Sequence, residues 1–358
     1  MLDKLQRLIQ MSQPNFWLAG SCLTIALLIS DGSQPSVKAT ADSYDEPVQS
    51  TQLTQLTQST PTSDRSISVN QTFPHVNGVW SVAISPDGRT LATAGHQGII
   101  KILDRTGKTI HILEGHTQAA LTVAFSPDGQ FLASSGQDKI IRIWNWETGE
   151  LLQTLTGHSK SVRSIAFNSD GHLISSSWDK TIRVWDWQKS ELLHILEGHS
   201  AGVFAVATSP DGQTIASVSK DLTAKLWNRN GTLIHTLEGH TDSVRTVAFS
   251  ADGQIVATGS NDKTIKLWNV STGEHLHTLV GHTDLVNSVA FNPNNNTLVS
   301  GGQDRTIRLW DLTTSRLLST FNQHSAAVNS VVFSPDGDSI VSASWDQTAK
   351  VLLANNEQ

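Results

Sequence analysis

From residue 66 onward the chain is written in short runs in which apolar residues alternate with small or polar ones, separated by turn dipeptides. The stretch from Gly157 to Asp186 shows the unit whole. After Gly157-His158 comes the alternating run Ser164-Ile165-Ala166-Phe167, then the turn Ser169-Asp170-Gly171. A second run, Leu173-Ile174-Ser175, leads through Asp179 to Thr181-Ile182-Arg183-Val184-Trp185-Asp186. Period-two alternation over so few residues predicts three short antiparallel strands and their turns. Helical periodicity is absent after residue 30.

The unit recurs seven times, its Gly-His histidine falling at His116, His158, His199, His240 and His282, with variants at His324 after Gln323 and His75 after Pro74. The step is 41 or 42 residues. A turn Asp follows the last six histidines by 21 or 22 residues, at Asp138, Asp179, Asp221, Asp262, Asp304 and Asp346. Six positions further stands Trp144, Trp185, Trp227, Trp268 or Trp310. On this combination residues 66 to 353 resemble the WD-repeat β-propeller family, here of a bacterial, exported type. The resemblance implies an all-β propeller of four-stranded antiparallel blades, seven of them by the count of repeats, and a role in binding proteins or peptides.

Each repeat supplies three strands of a blade, and the run before the next Gly-His, such as Leu151-Leu152-Gln153-Thr154-Leu155, supplies the outer fourth. No blade can bury both faces alone, so the sheets stack around an axis. Gln358 comes soon after the third strand of the last repeat. An N-terminal strand is therefore expected to complete the last blade, with Ile67-Ser68-Val69 pairing against Thr348 to Leu353 and removing an exposed edge. Turns such as Phe125-Ser126-Pro127-Asp128-Gly129 and Phe333-Ser334-Pro335-Asp336-Gly337 suit type I geometry.

The N-terminal region has a different character. Lys4 and Arg7 precede an apolar run from Phe16 to Ser30, whose length of about fifteen residues is nearer a signal-peptide core than the roughly twenty needed to span a bilayer. With the small-x-small site Ala39-Thr40-Ala41 downstream, residues 1–41 read as a secretory signal cleaved after Ala41. An uncleaved membrane anchor is the alternative, and a helix packed on the propeller the blander one. Cys22, the only cysteine, does not make a lipoprotein site: Ala19-Gly20-Ser21 precedes it and most of the apolar core follows it. Residues 42–65 continue a Ser/Thr/Gln/Pro-rich stretch too poor in apolar surface to order itself, which reads as a flexible linker to the propeller at 66–358. Beyond residue 65 there are 21 basic against 26 acidic side chains, without the basic excess of a phosphate-backbone binder. Nucleic acid is not an expected partner, and the membrane is one only through an uncleaved N-terminal segment.

Four residues before each turn Asp, or before its counterpart Gln97, stands a hydroxyl: Thr93, Ser134, Ser175, Ser217, Thr258, Ser300 or Ser342. The family resemblance implies that Trp, Ser or Thr, His and Asp form a hydrogen-bonded chain within each blade. The chemistry agrees, since indole N–H, hydroxyl, imidazole and carboxylate can each satisfy the next. Ser, His and Asp also make a hydrolase triad, but six near-complete copies in one chain fit a fold-building role. Gly198-His199-Ser200-Ala201-Gly202 matches a nucleophile elbow without the required strand-to-helix turn. Gly107-Lys108-Thr109 lacks the first glycine of a phosphate-binding loop and reads as a turn. His111, His194, His235 and His277 lie on separate outer strands and read as solvated rim residues. No metal or cofactor is expected.

Partner binding is expected on the face carrying the loops that join a blade's fourth strand to the next blade and its second strand to its third, through positions implied by the resemblance. The fifth residues after the histidine are Trp80, Leu121, Arg163, Phe204, Arg245, Asn287 and Asn329; the third are mostly small. Those before the turn Asp are Gln137, Trp178, Lys220, Asn261, Gln303 and Trp345, with His96 before Gln97. Aromatic and Arg side chains are the usual anchors of interfaces, which favours Trp178 with Arg163 and Phe204 on one side and Trp345 with Trp80 across the closure. The bland alternative is that the two tryptophans merely cover the hydrogen-bonded groups beneath them. The reading is an exported, non-enzymatic binding scaffold. A structural or self-assembling envelope component is the second reading, and an enzyme using the channel the third, disfavoured because the expected channel positions Ala124, Ala166, Ala207 and Ala248 are small and apolar.

Overall fold

The computed structural model describes residues 69–353, so the leader, Cys22 and the linker lie outside the described residues. Within that span the chain forms 28 strands in seven four-stranded antiparallel sheets. Six blades are continuous in sequence: residues 79–113, 120–155, 162–196, 203–237, 244–280 and 286–321. The seventh joins Val328–Phe333, Ser339–Ser344 and Thr348–Leu353 to the N-terminal strand Val69–Pro74. Strands are named a to d from the axis outward within a blade, so Val69–Pro74 is strand d of the seventh. Strand a is innermost and lies against strand a of its neighbours; strand d is the outer edge.

Burial along the strands explains the pattern in the sequence. Second strands such as Leu173–Ser177 are buried at every position, because both faces pack against neighbouring blades. Outer strands such as Glu191–Leu196 expose all but their last residue. The apolar core consists of seven clusters, each shared by adjacent sheets. Ile141, Ile143 and Leu155 of the second blade, for example, pack on Val162, Ile165, Leu173 and Trp185 of the third. The ring closes in the same way, with Phe73, Val341, Ala343 and Ala349 of the seventh blade against Val79, Val82, Leu91 and Leu103 of the first.

The closing strand forms, but later in the chain than expected. It runs Val69–Pro74, with Phe73 opposite Ala349 and Pro74 opposite Thr348. The reason is packing: this register puts Phe73, only 3% exposed, into the cluster across the seam. The expected turns are present, since Gly129 N–H donates to Ser126 O (2.9 Å) and Gly337 N–H to Ser334 O (2.8 Å). In the first of them Ser126 Oγ also donates to Asp128 (2.5 Å) and accepts from Phe131 N–H (2.9 Å).

A feature of strand a sets the inner wall. In each blade its pairing with strand b skips one residue: Val162 faces Ser177 and Ser164 faces Ser176, leaving Arg163 as the extra residue of a β-bulge. The same break leaves Trp80, Leu121, Phe204, Arg245, Asn287 and Asn329 unpaired in the other six. A bulge bends the strand and re-aims its side chain, and here the fifth residue of every repeat turns toward the axis.

Candidate functional site

The polar chain within the blades is continuous in five of them. In the second blade Trp144 Nε1–H donates to Ser134 Oγ (2.8 Å) and that hydroxyl to His116 Nε2 (2.9 Å). His116 Nδ1–H then donates to Asp138 (3.0 Å). The third blade repeats it through Trp185, Ser175, His158 and Asp179 at 2.9, 2.8 and 2.8 Å. The fourth uses Trp227, Ser217, His199 and Asp221, each step 2.8 Å. The fifth uses Trp268, Thr258, His240 and Asp262 at 2.8, 2.8 and 2.7 Å. The sixth uses Trp310, Ser300, His282 and Asp304 at 2.8, 2.7 and 2.9 Å.

The last blade keeps His324, Ser342 and Asp346 but has Leu352 at the indole position, and the first keeps only His75 and Thr93, with Leu103. Both leucines are buried in interblade clusters, so apolar packing replaces the donor. Each chain is embedded between sheets and takes the same form blade after blade, as a fold-building element does.

The turn Asp carries more than the sequence pattern revealed. Asp262 also accepts from the backbone N–H of Thr241 (3.0 Å) and of Thr264 (2.9 Å) and from the Thr264 hydroxyl (2.6 Å). Thr181, Thr223, Thr306 and Thr348 repeat that hydroxyl contact, two residues after each Asp. In the second blade Ile140 stands there instead and Arg142 Nη1 reaches Asp138 (2.9 Å). The residue between Asp and Thr is left-handed, as at Lys180 (φ 76°) and Leu222 (φ 72°), a conformation the carboxylate holds in place.

These contacts order the ionisation. Burial disfavours the Asp138 carboxylate, yet His116 and Arg142 outweigh it and hold its pKa down at about 2. The other turn Asp residues are likewise lowered: burial opposes the charge, and bonds from His and Thr prevail. His75, which has no Asp, is lowered from 6.5 to about 4 by burial and then by the charge of Lys101.

The expected binding residues meet at one end of the axis. A cavity of about 160 Å³ is lined by the bulged residues Trp80, Leu121, Arg163, Phe204, Arg245, Asn287 and Asn329, together with small or hydroxyl side chains at the sixth positions. The wall is thus built by the fifth and sixth residues. Ala124, Ala166, Ala207 and Ala248 instead pack beside the interblade clusters, because the bulge shifts the inward-facing set. Leu121 is 5% exposed and forms wall rather than surface, while Lys220 is exposed and outside the cavity.

The two expected aromatic groups form one cluster. Trp80 and Trp345 meet edge to face at 4.6 Å, and Trp178 and Phe204 at 6.0 Å. Arg163 joins them, its guanidinium carbon 5.8 Å from the ring centres of Trp80, Trp178 and Phe204. Arg245 also lies over Phe204, at 5.3 Å, its Nε–H donating to Asn261 Oδ1. Trp178 and Trp345 remain 43% and 37% exposed, so they present surface to solvent.

What the sequence reading missed is how those two tryptophans are seated. Each lies across a blade boundary onto a glycine, Trp345 on Gly78 and Trp178 on Gly202, where an added Cβ would meet ring atoms at 2.4 and 3.3 Å. The signal was present: glycine occupies the third position only in the repeats that follow those with Trp before the turn Asp. The outer-strand histidines are also not all free. His111 and His235 bond the carbonyls of Glu147 (2.7 Å) and Ser271 (3.0 Å) on the next blade. No group of three or more His, Cys, Asp or Glu among the described residues could hold a metal ion.

Seven four-stranded blades, five of them tied by complete Trp-Ser/Thr-His-Asp chains, define a propeller of the WD-repeat class. The chain belongs to the WD40 family: its model, described as WD domain, G-beta repeat, matches residues 67–104, 107–145, 149–186, 190–228, 231–269, 273–311 and 315–351. A comparison with the curated proteins returns no match. Propellers of this family generally serve as scaffolds that bind proteins or peptides.

Two predictions follow from the polar chains. Asp262→Ala strands the buried His240 N–H, frees the donors of Thr241 and Thr264, and lowers unfolding free energy by about 2–4 kcal/mol, whereas Gln97→Ala, at an exposed residue, stays within about 0.5 kcal/mol. Equal shifts in chemical denaturation would sink the structural role given to the turn Asp. The second concerns pH. Because His75 titrates near 4 when folded and near 6.5 when unfolded, the unfolded chain takes the proton first, and stability falls as pH drops from about 6.5 to 4. His75→Gln makes that limb shallower, by up to about 1.4 kcal/mol per pH unit. A further loss sets in below 3.8 as Asp138 and its counterparts, ionised when folded, are protonated. Denaturant titrations at pH 7, 5 and 3 read both limbs.

Proposed function

We propose that this propeller is a non-enzymatic platform for protein or peptide binding, presented outside the cytoplasm on a flexible tether. The observation that carries it is the aromatic and arginine cluster at the axial mouth: Trp345, Trp80, Arg163, Trp178, Phe204 and Arg245 in continuous contact, two of the tryptophans open to solvent. Rigid aromatic and Arg anchors supply most binding energy at protein interfaces. The cavity lining favours recognition over catalysis, since it contains no carboxylate, His or Cys to serve as base, nucleophile or metal ligand.

A second reading, lateral self-assembly as an envelope component, has its own support. Most of the exposed aliphatic side chains lie on outer strands, among them Ile110, Ile112, Leu192, Leu193, Ile195, Leu233 and Ile234. These strands are also sheet edges with unpaired backbone groups.

Crosslinking capture with the full chain as bait separates the two. A partner held through the mouth is captured by the wild type and reduced about tenfold or more with a folded Trp178→Ala/Trp345→Ala variant. Capture of the chain's own copies, unchanged by those substitutions and matched by concentration-dependent sedimentation, favours the second reading instead. The export proposal rests on the charged start, the apolar run of Phe16 to Ser30 and Ala39-Thr40-Ala41. N-terminal sequencing of the mature protein is expected to begin at Asp42; a chain starting at Met1 in the soluble cytoplasmic fraction would refute it.

A further inference from the structure

Two cations stand at the axial mouth in unequal company. Arg245 is held by Asn261, and the carboxylates of Asp242 and Asp284 lie near enough to favour its charge. Arg163 has no such support. Its buried Nε has no hydrogen-bond partner, and burial followed by the field of Arg245 lowers its pKa from 12.5 to about 10. Beside it, on a ring that Arg163 covers, Trp80 Nε1 is a second buried donor without an acceptor. Both belong to the same cavity wall. Asn287 and Asn329 on that wall each donate from the side-chain NH2 group, to the carbonyls of Val328 and Val79.

A half-buried guanidinium whose buried Nε lacks a partner and which has no counter-charge is costly to fold, and the two buried unpartnered atoms of this wall, both donors, favour an anion. Guanidinium and carboxylate match as planar, two-bond partners. The space suffices: about 160 Å³, against the roughly 10–15 Å³ one water requires. Around the opening Trp178 and Trp345 offer apolar, partly exposed surface, which an isolated inorganic anion would not use. The mildly acidic balance of the propeller disfavours a polyphosphate chain.

We infer that the axial mouth binds an acidic peptide, one carboxylate of which enters the cavity to pair with Arg163 and accept from Trp80 Nε1, while a neighbouring apolar residue lies on Trp178 or Trp345. This rests on the binding-platform reading and gives it a ligand chemistry. Arg163 and Trp80 are the specificity-setting pair; Arg245, which also contacts Phe204, adds positive charge.

The test is selection of synthetic hexapeptides by the full-length protein, from one library with amidated C termini and one with free carboxylates. Peptides enriched from the amidated library are expected to carry Asp or Glu beside an apolar residue. Replacing that acid by its amide, measured by calorimetry, weakens binding at least tenfold, as does Arg163→Gln; Arg163→Lys, which keeps charge but not the fork, falls between. Enrichment confined to the free-carboxylate library assigns the same pocket to a chain terminus. Arg163→Gln is expected to melt no lower than the wild type, since it removes an unpaired, half-buried charge; if it fails to fold, Arg163→Lys and Trp80→Phe carry the comparison. Enriched peptides without an acidic bias, or binding unchanged by these variants, overturn the inference and leave the platform standing. No enrichment from either library overturns both.

Discussion

A four-stranded blade has two apolar faces, and the described residues hold no element other than another blade to cover them. Everything else in the described structure answers to that constraint. Each of the seven cores is shared between sheets, so no blade is stable alone and the array must close or leave one face of each end bare. Closure falls to Val69–Pro74, which pairs with Thr348–Leu353 and places Phe73 in the last shared core. The seam therefore depends on contacts between residues about 280 positions apart, the most expensive in loop entropy that the fold contains.

The Trp-Ser/Thr-His-Asp chains serve the same constraint from within. Blades packed on both faces bury their loop bases, and buried polar groups there must be matched. The turn Asp gathers His, Thr and backbone donors at one point, which pins the d–a loop to the b–c turn and fixes that end of the blade. The first and last blades omit the indole and use Leu103 and Leu352 within their interblade clusters. The seam is thus held more by apolar contact and strand pairing, and the interior of the ring more by hydrogen bonding.

Much of this was legible in the sequence because repetition averages away local ambiguity. The period, the turn Asp-Gly pairs and the recurring His, hydroxyl, Asp and Trp identified the blades, their strand order and the polar chains. The closing strand was legible in kind but not in register, since the choice between Ile67-Ser68-Val69 and Val69–Pro74 was made by where Phe73 finds a core, a contact with the far end of the chain. The bulge in strand a was not legible at all. Val162-Arg163-Ser164 alternates like any strand, and only pairing with Leu173–Ser177 shows that Arg163 is the unpaired residue. That is why the fifth positions were expected on the loop face and the alanines in the channel. The join between the two aromatic groups was likewise hidden, because Arg163 and Trp80 come from blades that are not adjacent in sequence.

The bulge ties stability to recognition. A regular strand would leave the fifth residue in the ladder, with its side chain committed to one blade; the extra residue instead frees seven side chains, one from each blade, to converge on the axis. Identical residues there would crowd or repel, and the chain fills the ring with unlike ones: two aromatics, two arginines, two asparagines and a leucine. Asymmetry of this kind costs little, since the interblade cores beneath are indifferent to it. It also falls where the ring is joined. Trp80 belongs to the first blade and Trp345 to the seventh, so their edge-to-face contact crosses the seam. A ligand that lies on both touches the two sides of the closure at once. By mass action, whatever binds the closed ring and not the opened one adds to the stability of the closure. The face that recognises and the joint that holds the ring are therefore one mechanical unit.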